Sequence, residues 1–159
     1  APGTIFALFA GIYYWFPKMT GKKMSEMLGK MHFWPSLIFM NGIFMPMFIQ
    51  GLAGVSRRLA DGGQSYAHAS GVLEWNEFMS ISAFCLGIAQ IPFIVNILMS
   101  LFSGAKASRN PWDSTTIEWA APSPPVGHGN FDGPINVYHT AYEYSVPDDK
   151  KDFKPQFEN

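Results

Sequence analysis

The stretch that decides the fold is Phe33-Trp34-Pro35-Ser36-Leu37-Ile38-Phe39-Met40-Asn41-Gly42-Ile43-Phe44-Met45-Pro46-Met47-Phe48-Ile49-Gln50-Gly51-Leu52-Ala53-Gly54, 22 residues without one ionisable side chain. As a helix rising about 1.5 Å per residue it is long enough to cross the ~30 Å hydrocarbon core of a bilayer. Arg57 and Arg58 follow its small-residue end. A guanidinium at the centre of a spanning helix costs about 2.5–3.5 kcal/mol. The pair is therefore expected at the membrane rim, either in water as a topology signal or holding an acidic group. Pro46 removes a backbone donor and is expected to bend the helix, which neighbouring groups in a membrane tolerate. Asn41, polar at mid-depth, is expected to face protein or cofactor, most simply through an interhelical hydrogen bond.

Apolar segments lie on both sides. Pro2 to Phe16 reads as a helix with Gly3, Ala7 and Gly11 on one ridge, where small residues let helices approach closely. Tyr13, Tyr14 and Trp15 fit an interfacial aromatic belt. The segment is only about 24 Å long, short of a full span, so the chain is expected to be a piece of a larger subunit. A loop rich in lysine (Lys18, Lys22, Lys23, Lys30) leads to the second helix, about residues 31–52. A polar connection from Val55 to Asn76 leads to a third, about residues 77–102, with Pro92 marking a kink. Ser80, Ala83, Gly87 and Gln90 share one narrow face of it, assigned to the bundle interior. From Gly104 the apolar periodicity stops. Prolines from Pro111 to Pro155 punctuate a polar tail ending in the charged run Asp148 to Asp152, expected to lie along partner subunits or stay loose. The expectation is an all-α membrane protein, with transmembrane helices in residues 1–104 and an extended tail over residues 105–159.

Composition agrees: 48% of residues are hydrophobic and 14% charged, against about a quarter charged in soluble proteins. A net charge of -1 with no basic stripe excludes a general nucleic-acid binder. Cys85 is the single cysteine, so no intrachain disulfide forms. His32, at a helix end in the interface, His68 in the outer loop, and His128 and His139 in the tail are too scattered for a metal centre. Apart from Glu77 at the start of the third helix the spans hold no carboxylate, which speaks against a proton relay within this piece. The lysine asymmetry places the first loop and the tail in the cytoplasm and the arginine loop outside.

Three blocks carry a family resemblance: Gly3-Thr4-Ile5-Phe6-Ala7 through Trp15-Phe16-Pro17 with Gly29-Lys30-Met31-His32-Phe33; Phe44 through the paired arginines; and Glu118-Trp119 with Pro122-Ser123-Pro124-Pro125. In order and spacing they resemble the last three transmembrane helices and tail of subunit I of the bacterial heme-copper oxidases, the catalytic subunit of cytochrome c oxidase. Ser56 stands where that family usually has proline, and the segment from Asp61 to Glu74 is longer and more polar than usual.

The resemblance implies an oxidase of the inner membrane that reduces oxygen to water with electrons from cytochrome c, coupled to proton translocation. It implies two hemes, expected to be heme A, and one copper in the complete subunit. Their histidine ligands would lie on other helices, two of them just before the position matching Ala1, so no catalytic residue or metal ligand is expected here. Arg57 and Arg58 match arginines that hydrogen-bond the heme propionates. Phe6, Phe9 and Phe44 are candidates to pack on porphyrin or its lipid-like tail, although aromatics at helical spacing are more often ordinary packing. Implied partners are the rest of subunit I, other oxidase subunits, membrane lipid, and cytochrome c or a fused or supercomplex cytochrome donor. A quinol-oxidising relative is a further reading. Outside the resemblance, the competing reading is a non-catalytic helical subunit that anchors or scaffolds a respiratory complex.

Overall fold

The computed structural model describes residues 2–127, 130–131, 133–143, 147–148 and 150–158. Its helices are α1 (Pro2–Thr20), α2 (Glu26–Leu52), a short α3 (Ser70–Leu73), α4 (Trp75–Ile88) and α5 (Ile91–Ser103). Single 3-10 turns occupy Ala67–Ala69 and Ile117–Ala120. Among the described residues two stretches are long and apolar enough to cross a membrane, Glu26–Leu52 and Ala67–Ser103. The chain divides into two compact units, one of Ala1–Met24 with Met99–Asn159, the other of Ser25–Leu98.

In the second unit α2 begins five residues before its expected start. Ser25 caps it, its hydroxyl accepting from the Leu28 N–H, and Glu26 supplies a carboxylate to the positive end of the helix dipole. Asn96, fully buried, clamps the same cap: its Oδ1 accepts from the Ser25 N–H at 2.8 Å and its Nδ2 donates to the Ser25 carbonyl at 2.9 Å. His32 is consequently not at a helix end but within α2, and it is buried. Pro35 and Pro46 both lie inside α2 without interrupting it.

α4 packs on α2 across Gly42, where a Cβ would fall 2.6 Å from Ser82 Oγ and 3.2 Å from Ser82 Cβ. Only a glycine permits that approach. The buried positions along α4 and α5 in this unit are Ser82, Ala89 and Asn96, a seven-residue repeat. The stripe Ser80, Ala83 and Gly87, assigned above to the interior, is exposed; within this chain the helix is rotated so that only Gln90 of that set meets a neighbour.

Gln90 explains the break between α4 and α5. Its N–H turns to the Gly87 carbonyl at 3.2 Å, releasing the Leu86 carbonyl, which its own Nε2 takes at 3.0 Å. The same amide donates to Ser36 Oγ at 3.0 Å and meets His32 Nε2 at 3.0 Å, while the His32 ring stacks on Phe93. Pro92 then sits in the first turn of α5, where its missing donor has no helical partner to lose. Asn41 departs from expectation: it is exposed and its Nδ2 bonds the Leu37 carbonyl of its own helix at 2.8 Å. A short amide can reach the carbonyl one turn back and needs no second helix.

In the first unit the tail is not loose. Trp119 is fully buried, stacked on Trp15 at 5.3 Å between centroids and edge-on to Tyr14 at 5.1 Å. Trp112 stacks on Tyr14 and donates its Nε1–H to the Tyr14 carbonyl at 3.0 Å. Lys18, buried at the end of α1, lies 5.0 Å from the Trp119 ring centre and donates to the carbonyls of Ala121 (2.6 Å) and Arg109 (3.0 Å). Lys22 caps α5 through the carbonyls of Leu101 and Phe102. Farther along, Gln156 ties the tail to itself, its N–H donating to the Thr115 carbonyl and its Oε1 accepting from the Ile117 N–H. Residues 105–127 therefore dock on α1 instead of running free, because the tail carries its own aromatic anchors. Of the charged run, Asp149 lies outside the described residues.

Candidate functional site

The arginine loop is built from the end of α2. Helix α2 stops at Leu52; the Ala53 N–H bonds back to the Ile49 carbonyl, Gly54 enters the left-handed region at φ +86°, and the Val55 N–H returns to the Gln50 carbonyl at 3.0 Å. Glycine is the residue that makes such a stop without strain. Four residues on, Arg58 adopts φ +59°, a conformation a bulky side chain takes only when its surroundings impose it.

Those surroundings are three closures. Asp61 accepts from the Ser65 hydroxyl and from the N–H groups of Gly63 (3.0 Å) and Ser65 (2.9 Å). These bonds hold its pKa down at about 2. The Gly62 carbonyl accepts from Asn76 Nδ2 at 2.9 Å. Gly63, at φ +93°, packs so that a Cβ would lie 2.9 Å from Leu73 Cδ2. Between the end of α2 and these closures Arg57 and Arg58 are both exposed. Among the described residues neither guanidinium forms a hydrogen bond or an ion pair.

An open cavity of about 490 Å³ borders the loop, with Asp61, Glu74 and Glu77 among its lining residues. Among the described residues no three histidine, cysteine or acidic side chains converge on a metal-sized site. His68 lies exposed in the Ala67–Ala69 turn, and His139 pairs with Glu143 at 3.1 Å. His128 lies outside the described residues. Phe6 and Phe9 are half-buried one turn apart on α1, in the first unit, whereas Phe44 on α2 and the arginines belong to the second. Sequence reasoning missed Gln50 and Asn76, the amides behind the loop. Their signal was present, since an amide at the end of an apolar span needs a partner.

Helices of spanning length, joined through buried polar side chains and followed by a guanidinium pair that is exposed and unpaired among the described residues, define a multi-helix membrane polypeptide. Residues 1–117 match the family model for cytochrome c and quinol oxidase polypeptide I, and the chain belongs to that family. It is 40% identical over 153 residues to the alternative cytochrome c oxidase subunit 1 of Bradyrhizobium diazoefficiens, covering 96% of this chain and 26% of that protein. It is 41% identical over 144 residues to cytochrome c oxidase subunit 1 of Synechocystis, covering 91% of this chain and 25% of the relative. For the subunit 1 of Thermostichus vulcanus the identity is 43% over 124 residues, 78% of this chain and 21% of the relative. The chain thus spans about a quarter of the length of these relatives.

Proposed function

We propose that this chain supplies the last helices of the catalytic subunit of a terminal oxidase in a bacterial inner membrane, and that Arg57 and Arg58 bind the propionates of its hemes. The observation that carries this is the guanidinium pair at the exit of α2, exposed and without a partner among the described residues, in a member of this family. The donor set fits carboxylates: guanidinium presents a planar fork that matches two oxygens at once. Hydrogen bonds to charged groups contribute about 1.5–3 kcal/mol each. Fixed positive charge at the rim keeps carboxylates ionised and raises the potential of a nearby redox centre.

When bound, two hemes of the A type and one copper supply electron transfer and the reduction of oxygen to water, coupled to proton translocation. This chain contributes the propionate clamp, the polar joints between α2 and α4–α5, and packing. Phe6 and Phe9 on α1, and separately Phe44 on α2, are candidates to pack on a porphyrin or its tail. Partners are the remaining helices of the subunit, other oxidase subunits, lipid and a cytochrome c donor. The relatives' names favour cytochrome c over quinol. The lysine asymmetry of the sequence supports a cytoplasmic tail and an arginine loop on the outer side. A non-catalytic anchor subunit gives way to the family match.

In the assembled oxidase, Arg57→Ala and Arg58→Ala lower activity and move heme midpoint potentials down, because the oxidised heme carries more positive charge and gains from losing a cation nearby. Arg→Lys is tolerated only in part, since an ammonium cannot reproduce the fork. Redox titration with no shift in either alanine variant leaves the pair a topology signal only.

A further inference from the structure

We infer that Gln50 and Asn76 are positioning residues that hold the arginine loop, and through it the guanidinium pair, in place. The inference rests on the propionate-binding reading above. Gln50, buried at the end of α2, donates through Nε2 to the Val72 carbonyl and to Asn76 Oδ1, both at 2.9 Å. Asn76, in the first turn of α4, passes the chain on through Nδ2 to the Gly62 carbonyl at 2.9 Å.

The partners fix the direction of both amides. The carbonyls of Val72 and Gly62 can only accept, so Gln50 must present its nitrogen to Val72, and Asn76 must present its nitrogen to Gly62 and its oxygen to Gln50. The relay therefore has one proton arrangement and no spare orientation. It spans the loop from its start in α2 to a point four residues beyond Arg58, and it bridges α2 to α4. The Asp61 turn shapes the chain only from Asp61 onward, and the Val55–Gln50 bond shapes it only before Arg57. The packing of Gly63 on Leu73 holds the far end against α3, and the amide relay is the hydrogen-bonded closure that, among the described residues, joins α2, the loop and α4. Arg58 stays at φ +59° because the ends are tied; with the Gly62 end released, the residue relaxes toward negative φ and turns its side chain away.

The test uses the assembled, detergent-solubilised oxidase with Asn76→Leu, which keeps the volume and removes both amide functions without adding charge. Gln50→Met, which cuts the relay at its first link, is the second variant should Asn76→Leu assemble poorly. Two readouts are taken: tryptic cleavage at Arg57 and Arg58 followed by mass spectrometry, and heme midpoint potentials by redox titration. Loss of the two Asn76 hydrogen bonds, the part-buried one from Gln50 and the exposed one to Gly62, raises the open population of the loop, and hence cleavage there, roughly threefold to tenfold. Midpoint potentials move in the direction expected for Arg57→Ala with Arg58→Ala, by a smaller amount. Adding Asn76→Leu to that double-alanine background produces no further shift, because the amides act only through the arginines.

Cleavage and potentials unchanged in both variants, while the arginine variants do shift, overturn the positioning role and leave the propionate reading intact. A shift of equal size with and without the arginines overturns it as well. Arginine variants without any shift overturn the propionate reading itself.

Discussion

Docking of the tail on α1 turns on Trp119, and its substitution separates two contributions. Replacing a fully buried large aromatic with alanine costs about 3–5 kcal/mol through lost transfer energy and the residual cavity. Trp119→Ala also removes the stack on Trp15, the edge contact with Tyr14 and the ring beneath Lys18. At about 1.4 kcal/mol per factor of ten, the undocked population of residues 105–127 rises by roughly two to four orders of magnitude. Trp119→Phe behaves differently. The smaller ring leaves a void costing about 1 kcal/mol and weakens the attraction for Lys18 by roughly 0.5–1 kcal/mol. Against this, the Trp119 Nε1–H is buried with no hydrogen-bond partner among the described residues, and removing such a donor recovers about 1–3 kcal/mol. The phenylalanine variant is thus expected within about 1 kcal/mol of the parent. Hydrogen exchange of the 105–127 backbone, together with proteolysis at Lys106 and Arg109 in the assembled enzyme, reads the undocked population directly. If phenylalanine proves as damaging as alanine, the indole N–H has a partner in the complete enzyme and the energetic argument fails.

Two further predictions concern topology and packing. Single cysteines at positions 22 and 150 should react with impermeant reagent only from the cytoplasmic side of the membrane, and one at position 64 only from outside; external labelling at 22 would reverse the assignment. Gly42→Ala drives a Cβ onto Ser82 and should cost about 1–3 kcal/mol as overpacking, seen as a lower thermal midpoint of the complex. Ser82→Gly in the same chain restores much of it, and a Gly42→Ala enzyme as stable as the parent would show that α2 and α4 are not in close contact.

Some features were legible in the sequence because single residues or short runs decide them. The apolar run from Phe33 to Gly54 needs no tertiary contact to favour a spanning helix, since transfer into hydrocarbon acts on each residue separately. Glycine placed the stop at Gly54 because its backbone preference is local, and Pro92 marked the neighbourhood of the break that Gln90 makes between α4 and α5. Family blocks read in order identified the chain. The true start of α2 was also within reach: Ser25 followed by Glu26 is an N-terminal cap pattern.

What the tertiary structure alone decided is which polar group meets which. Asn41 and Asn96 are the same residue type inside apolar segments, yet one bonds its own helix in the open while the other is buried and clamps the Ser25 cap. A mid-span amide satisfies itself wherever geometry allows, and geometry depends on the rotation of one helix against another, which a nearly uniform apolar composition leaves undetermined. The same reason hid the interior face of α4, the Gln50–Asn76–Gly62 relay and the lysines that cap helix ends. The sequence determined that Arg57 and Arg58 stand at the rim of a spanning helix. Only the folded loop, closed through side chains distant in sequence, left them exposed and, among the described residues, unpaired, because hydrogen bonds between residues far apart in the chain exist only once the helices have packed.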